Sequence, residues 1–125
     1  MYPKSAEVVS GKPAGSVMTV SFDLNGQEFL ALNGGANFKF NESVSFIINC
    51  DNQEQIDWFW SQLSAVPESE ICGWCKDKFG VSWQVSPKGF DELVKGDPAK
   101  FNRYMGAVLT MKKLVIKDLD AAANG

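Results

Sequence analysis

Apolar and polar positions alternate most plainly from Val17 to Leu24, where Met18, Val20, Phe22 and Leu24 fall on one side and Val17, Thr19, Ser21 and Asp23 on the other. A second run follows from Gln27 to Asn33. The intervening Asn25-Gly26 accepts the positive φ of a type I′ turn, so the stretch predicts a β-hairpin. Val44 to Cys50 predicts another strand, with Val44, Phe46 and Ile48 on an apolar face and Ser45, Ile47 and Asn49 on a mixed one. The period then changes. Ile56, Phe59, Trp60 and Leu63 recur at i, i+3, i+4 and i+7, a helix for which Asp51 is the expected cap, with Glu54 three residues later.

Ile71 to Lys76 and Val81 to Ser86 predict a second hairpin turning through Asp77, Lys78, Phe79 and Gly80, with Val81, Trp83 and Val85 opposed to Ser82, Gln84 and Ser86. Phe90, Leu93 and Val94 suit a helical turn, and Asp97-Pro98 opens a helix with Phe101, Met105 and Val108 on one stripe. A last helix is expected from Val115 to Ala123. At the front, Pro3, Gly11, Pro13 and Gly15 surround Val8 and Val9, which predicts a frayed strand and then a loop. The order β-β-β-α-β-β-α, with antiparallel hairpins and no βαβ crossover, places the chain in the α+β class.

The size, 125 residues with 45% hydrophobic and 22% charged, fits one globular domain spanning 1–125. No apolar run reaches the roughly 18 to 20 residues that cross a bilayer, and the start lacks the apolar stretch of a secretory signal. A cytoplasmic protein without a membrane partner is expected. Three cysteines, Cys50, Cys72 and Cys75, then read as reduced thiols. The net charge of -3 and a single arginine, Arg103, disfavour nucleic acid as a partner. Six of the twelve basic residues lie between Lys95 and Lys117, which suits a solvated helical face.

The absence of histidine changes the picture most, because it removes Ser-His-Asp and Cys-His nucleophile schemes and the commonest transition-metal ligand. Cys72-Gly73-Trp74-Cys75 has the Cys-x-x-Cys spacing, but residues three apart in a strand face opposite sides, so structural thiols are expected. Asn33-Gly34-Gly35 leads toward a strand and not a helix N-terminus, so no nucleotide or methyl-donor loop is read there. Trp60 and Trp83 lie on core stripes, whereas Trp58 lies off its helix stripe, at a rim or partner surface.

Three strings carry a family resemblance: Phe29-Leu30-Ala31-Leu32-Asn33-Gly34-Gly35, Phe38-Lys39-Phe40-Asn41-Glu42, and the run from Cys72 to Val85. They resemble the PhnB-like family of the vicinal oxygen chelate superfamily, alongside glyoxalase I, extradiol dioxygenases and bleomycin-resistance proteins, over about Tyr2 to Ala122. Members are often labelled 3-demethylubiquinone-9 3-methyltransferase. The resemblance implies paired βαβββ modules whose curved sheets enclose a cleft, commonly in a homodimer. The first module is expected to be shortened at its N-terminus: 1–35 its remnant, 44–95 the second module, 97–123 C-terminal helices. A homodimer, with exchanged elements, is the partner this implies.

Metal-using relatives hold their ion with His and Glu on strand faces. By resemblance the His position falls on Ser45, one Glu position on Gln84 and the other near Phe29. Ser and Gln bind divalent ions weakly, so neither metal nor other cofactor is expected. Asn49 lies on the same mixed face as Ser45. The expected function is metal-independent binding of a small molecule by Ser45, Asn49, Gln84 and Phe29. The alternatives are polar residues facing solvent or a partner subunit, a remnant with a structural role, and an enzyme of unknown reaction with Glu28, Glu42 or Asp77 as base or with an oxygen-ligated metal.

Overall fold

Asn25 and Gly26 both turn at positive φ, 52° and 83°, and fold β1 (Thr19–Leu24) antiparallel onto β2 (Gln27–Leu32). This is the expected hairpin, and Asp23 Oδ1 steadies its turn by accepting from the Gly26 N–H at 2.8 Å. The structure is a computed structural model that describes all residues, Met1–Gly125. Its chain divides into two compact units, Met1–Lys39 and Phe40–Gly125.

In the first unit the Tyr2 side chain is buried, its hydroxyl donates to the Asn33 carbonyl, and its backbone N–H donates to Ser16 O at 2.8 Å. The arm between them is not a frayed strand. A 3₁₀ turn at Lys4–Ala6 leads into the one-turn helix α1 (Glu7–Ser10), closed by Gly11 at φ 66°. Val8 and Val9 are neighbours on that turn and both lie exposed, so the apolar pair builds no sheet. A glycine able to adopt the left-handed cap conformation favours the turn over extension.

The second unit begins with β3 (Ser45–Cys50) and α2 (Gln53–Leu63). The cap of α2 is Asn52, one residue past the expected Asp51: its side chain accepts from the Gln55 N–H at 2.9 Å, while Gln55 Oε1 accepts from the Asp51 N–H at 2.8 Å. That is a reciprocal capping arrangement displaced by one position. After a 3₁₀ turn at Pro67–Ser69 come β4 (Trp74–Lys76) and β5 (Ser82–Pro87), paired antiparallel. The strand order is β3-β5-β4, and β3 runs parallel to β5. The expectation of no crossover is therefore corrected: β3 and β5 are parallel neighbours, with α2 and the antiparallel β4 between them in the chain. Periodicity defines the faces of a strand, but the choice of neighbour is made by long-range packing.

Cys72 and Gly73 are not in a strand either. They turn at φ 54° and 82° between Ile71 and Trp74, which shortens β4 to three residues. Backbone N–H groups of Cys72 and Gly73 donate to Met111 O and Lys112 O at 2.7 and 2.8 Å, tying the turn to the connection between the last two C-terminal helices. Those helices are α3 (Phe90–Lys95), α4 (Pro98–Val108) and α5 (Ile116–Asn124). Asp97 caps α4 as the Asp-Pro pair predicts, accepting from the Ala99 N–H at 2.9 Å.

Two apolar clusters form. Cys50, Ile56, Cys75 and Val85 are buried between the sheet and α2, joined by Phe59, Trp60, Leu63 and Trp83. Tyr104, Val108, Leu114, Leu119 and Ala123 make the other, between α4 and α5. Gln53 bridges the two regions: its amide donates to Leu114 O at 3.0 Å and accepts from the Ile116 N–H at 2.8 Å. The result is a mixed α+β architecture with two small sheets and five helices, matching the expected class.

Candidate functional site

The register of the three-stranded sheet sorts its side chains. Ser45 lies opposite Ser82, Ile47 opposite Gln84 and Asn49 opposite Ser86; on the other flank Lys76 meets Ser82 and Trp74 meets Gln84. Residues directly opposite share a face. One face therefore presents Ser45, Ile47, Asn49, Ser82, Gln84, Trp74 and Lys76, while Cys50, Cys75, Trp83 and Val85 on the other meet α2. The two mixed strand faces expected from the sequence lie side by side.

On this open face Gln84 Nε2 donates to Ser45 Oγ at 2.9 Å. Two residues predicted to share a site thus touch. Asn49 is exposed four residues further along β3, about 13 Å away at the rise of a strand. Phe29 belongs to the hairpin of the first unit, where it stacks on Phe22 at 5.7 Å between ring centroids.

Ser82, which sequence reasoning did not select, is the most telling member. It is 1% exposed, and its hydroxyl has no hydrogen-bond partner. A buried donor left unsatisfied costs about 1 to 3 kcal/mol, so such a group calls for an acceptor. Ser82 lines a cleft of about 330 Å³ together with Trp74, Lys76, Glu42, Glu68 and Glu70. Strand parity already placed Ser82 beside Gln84; its burial had no signal in the sequence.

The charges at the rim are mostly committed. Lys76 Nζ pairs with Glu42, and that ammonium holds the Glu42 carboxyl below the usual range. Glu70 Oε1 accepts from Ser64 Oγ at 2.6 Å. Asp77 organises the β4–β5 turn: Oδ1 accepts from the Phe79 and Val81 N–H groups at 2.8 and 3.0 Å, and Oδ2 from Trp83 Nε1 at 2.9 Å. With both oxygens so engaged, Asp77 is a turn-former here. Glu28 lies exposed in the hairpin opposite Asp23.

The cysteines separate as expected, though for a different reason than strand alternation. Cys75 is buried in the sheet cluster and Cys72 packs against the helical one. Burial, aided by Glu70 and Asp77, pushes the Cys75 thiol up to about 11. It stays protonated near neutrality and is a poor nucleophile or ligand. Trp58 is exposed and meets Phe59 edge-on at 4.9 Å, off the core as its helical position implies.

A divalent ion does not fit this face. Ser45 and Gln84 offer a neutral hydroxyl and amide that are already bonded to each other, and no three His, Cys, Asp or Glu side chains converge on any point. A methyl-donor loop does not fit either, since no helix follows Gly34-Gly35 before β3 begins. No curated protein matches the chain. Residues 2–86 match the family described as 3-demethylubiquinone-9 3-methyltransferase. With that match spanning more than half of its length and a mixed α+β fold beside it, the chain belongs to this glyoxalase/bleomycin-resistance-like family.

Proposed function

We propose that this protein binds a small, uncharged polar molecule without a metal, on the open face of the sheet formed by β3, β5 and β4. The unpartnered Ser82 hydroxyl carries the reading, because a donor 99% buried beside a cleft is completed by a ligand acceptor. The Gln84 amide and Ser45 hydroxyl supply further neutral partners, and Trp74 offers a flat apolar surface. Such a set orients a carbonyl, amide or hydroxyl group. The three unpaired cysteines suit the reducing conditions of the cytoplasm.

The partner of the chain in this reading is a second copy. Val20, Phe22 and Leu24 lie exposed on one face of a two-stranded sheet, and an isolated hairpin of this kind is marginal in water. Both of its edges are also open, and a second copy offers the same edge for symmetric pairing or exchange. Light scattering at low micromolar concentration should give the mass of two chains; a single-chain mass overturns the dimer.

Binding is tested by following backbone amide resonances while benzamide and phenol are titrated as uncharged probes. Saturable shifts at Ser45, Trp74, Ser82 and Gln84, weakened by Ser82→Ala and Gln84→Ala, are expected. Shifts scattered away from this face, or none, overturn the assignment. The paired exchange Ser45→His with Gln84→Glu should create measurable affinity for zinc or manganese, since the two side chains already meet at 2.9 Å. The unaltered protein should show none.

A further inference from the structure

A second cavity, of about 330 Å³, opens where the C-terminal ends of β3 and β5 face the helices, and it involves none of the side chains assigned to the sheet face. Leu93, Ile116 and Leu119 give it an apolar floor, and most of its lining lies beyond the residues matched to the family. Its size falls in the range that holds small ligands, roughly 300 to 1,000 Å³.

Tyr104, Lys100 and Asp120 are among the polar groups in this lining that are left without partners. Tyr104 is 92% buried (8% exposed), yet its hydroxyl makes no hydrogen bond within the protein. Lys100 is half-buried at the start of α4 and forms no ion pair. Asp120, on α5, likewise forms none, so it stands more than 4.0 Å from the Lys100 ammonium. The remaining charged pair on the wall, Lys88 with Asp51 at 2.9 Å, is already satisfied. Tyr104 and Asp120 line the same cavity, and burial, followed by the Asp120 charge, raises the Tyr104 hydroxyl above its ordinary range. The Phe90 ring lies beside it, with centroids 6.5 Å apart.

We propose that this cavity binds a small zwitterion of the amino-acid class, its ammonium held by Asp120 and the Tyr104 hydroxyl and its carboxylate by Lys100. The acidic end suits an ammonium on three grounds. The Asp120 carboxylate provides the countercharge, the hydroxyl oxygen accepts an N–H, and the aromatic faces of Tyr104 and Phe90 attract a cation. Lys100, held apart from Asp120, meets the opposite charge. Neither lone cations nor lone anions satisfy both ends. The ligand would bridge two charges that the protein itself leaves unbridged, over a floor that excludes water from its methylene chain.

The test uses the full chain, with γ-aminobutyrate as probe and butyrate and butylammonium as singly charged controls, followed by amide resonances. γ-Aminobutyrate should shift Phe90, Tyr104 and Asp120 saturably and bind about tenfold more tightly than either control, a factor typical of losing one charge-assisted contact. Lys100→Gln, Asp120→Asn and Tyr104→Phe should each weaken it about tenfold, while Ser82→Ala leaves it unchanged. Lys100→Gln and Asp120→Asn lie on half-exposed and exposed surface, so the test survives if Tyr104→Phe disturbs the core. Equal binding of the three probes, no saturable shift at these amides, or wild-type affinity in the Lys100 and Asp120 variants would overturn the proposal.

Discussion

In the hairpin β1–β2, Phe22 remains 42% exposed, whereas Val85 on β5 is wholly buried, although both strands alternate apolar with polar residues in the same way. The difference is the cover. Helix α2 lays Ile56, Phe59 and Trp60 over one face of the three-stranded sheet. The hairpin has only Tyr2 and the short arm within its own unit, and Tyr2 is the single buried hydrophobic residue there. Alternation creates an apolar face, and a second layer turns that face into a core. The sheet's other face, which α2 does not cover, is free to carry polar chemistry at Ser45, Ser82 and Gln84.

Core truncations test this contrast most strongly. Ile56→Ala, at a fully buried position, should cost about 3 kcal/mol in urea unfolding followed by tryptophan fluorescence. Phe22→Ala in the hairpin should cost less than about 1 kcal/mol in the single chain, where its burial is partial, and more at concentrations where a second copy covers the hairpin. A cost for Phe22→Ala as large as that for Ile56→Ala would mean that the hairpin face is covered in solution, which a concentration-dependent midpoint would trace to a second copy.

Two glycines repeat the comparison at the level of turns. Gly26 and Gly73 have nearly the same φ, 83° and 82°. A Cβ on Gly26 would meet nothing within 4 Å, whereas one on Gly73 would meet the Leu114 side chain at 3.0 Å and the Val85 carbonyl at 3.3 Å. Gly26→Ala should cost about 1 kcal/mol from the left-handed backbone alone, and Gly73→Ala about 2 to 3 kcal/mol because a clash is added. Equal effects would show that the Cys72-Gly73 turn has room to move away from Leu114.

An alkaline pH effect is expected in the second unit. Cys75 titrates near 11 in the fold, above the ordinary thiol range of about 8.5, so the folded state holds its proton longer than the unfolded chain does. Stability from this group is complete below the ordinary thiol value and falls as pH rises toward 11. Cys75→Ala should reduce that alkaline slope, the remainder belonging to Cys50 and Tyr104, which burial also raises, and Cys75 should resist iodoacetamide in the native protein at pH values where a free thiol reacts. Rapid alkylation of Cys75 without unfolding would contradict the buried position.

The smallest effects belong to the surface pairs. Lys76, Lys88 and Lys113 hold the carboxyls of Glu42, Asp51 and Asp57 below their usual range. Each contribution is present above the ordinary carboxylate value and lost as pH falls through the lowered one. Asp57→Asn, which breaks a 2.8 Å pair with Lys113, should change the urea midpoint within experimental scatter, and added salt should erase any difference.

Much of this was legible in residue order. Asn25-Gly26 marks its own turn, Ile56, Phe59, Trp60 and Leu63 mark one helical face, and Asp97-Pro98 marks a helix start, because each is a local preference acting over a few residues. Strand parity likewise placed Ser45 and Gln84 on mixed faces. Their contact was not legible, because it requires β3 beside β5 in a particular register, and neither strand alone specifies its neighbour. Glu54 drew the expected cap to Asp51, but Asn52 took it, since Gln55 answers at the reciprocal position.

Residue order thus sufficed for local geometry and for which side of each strand is apolar, since backbone conformation and two- or four-residue periodicity act within one segment. Folding in three dimensions settled the parallel pairing of β3 with β5, the turn at Cys72-Gly73, the burial of the unpartnered Ser82 hydroxyl, and the gathering of Lys100, Tyr104 and Asp120 around one cavity. Each of those depends on segments far apart in the chain excluding water from one another, and no single segment carries that information.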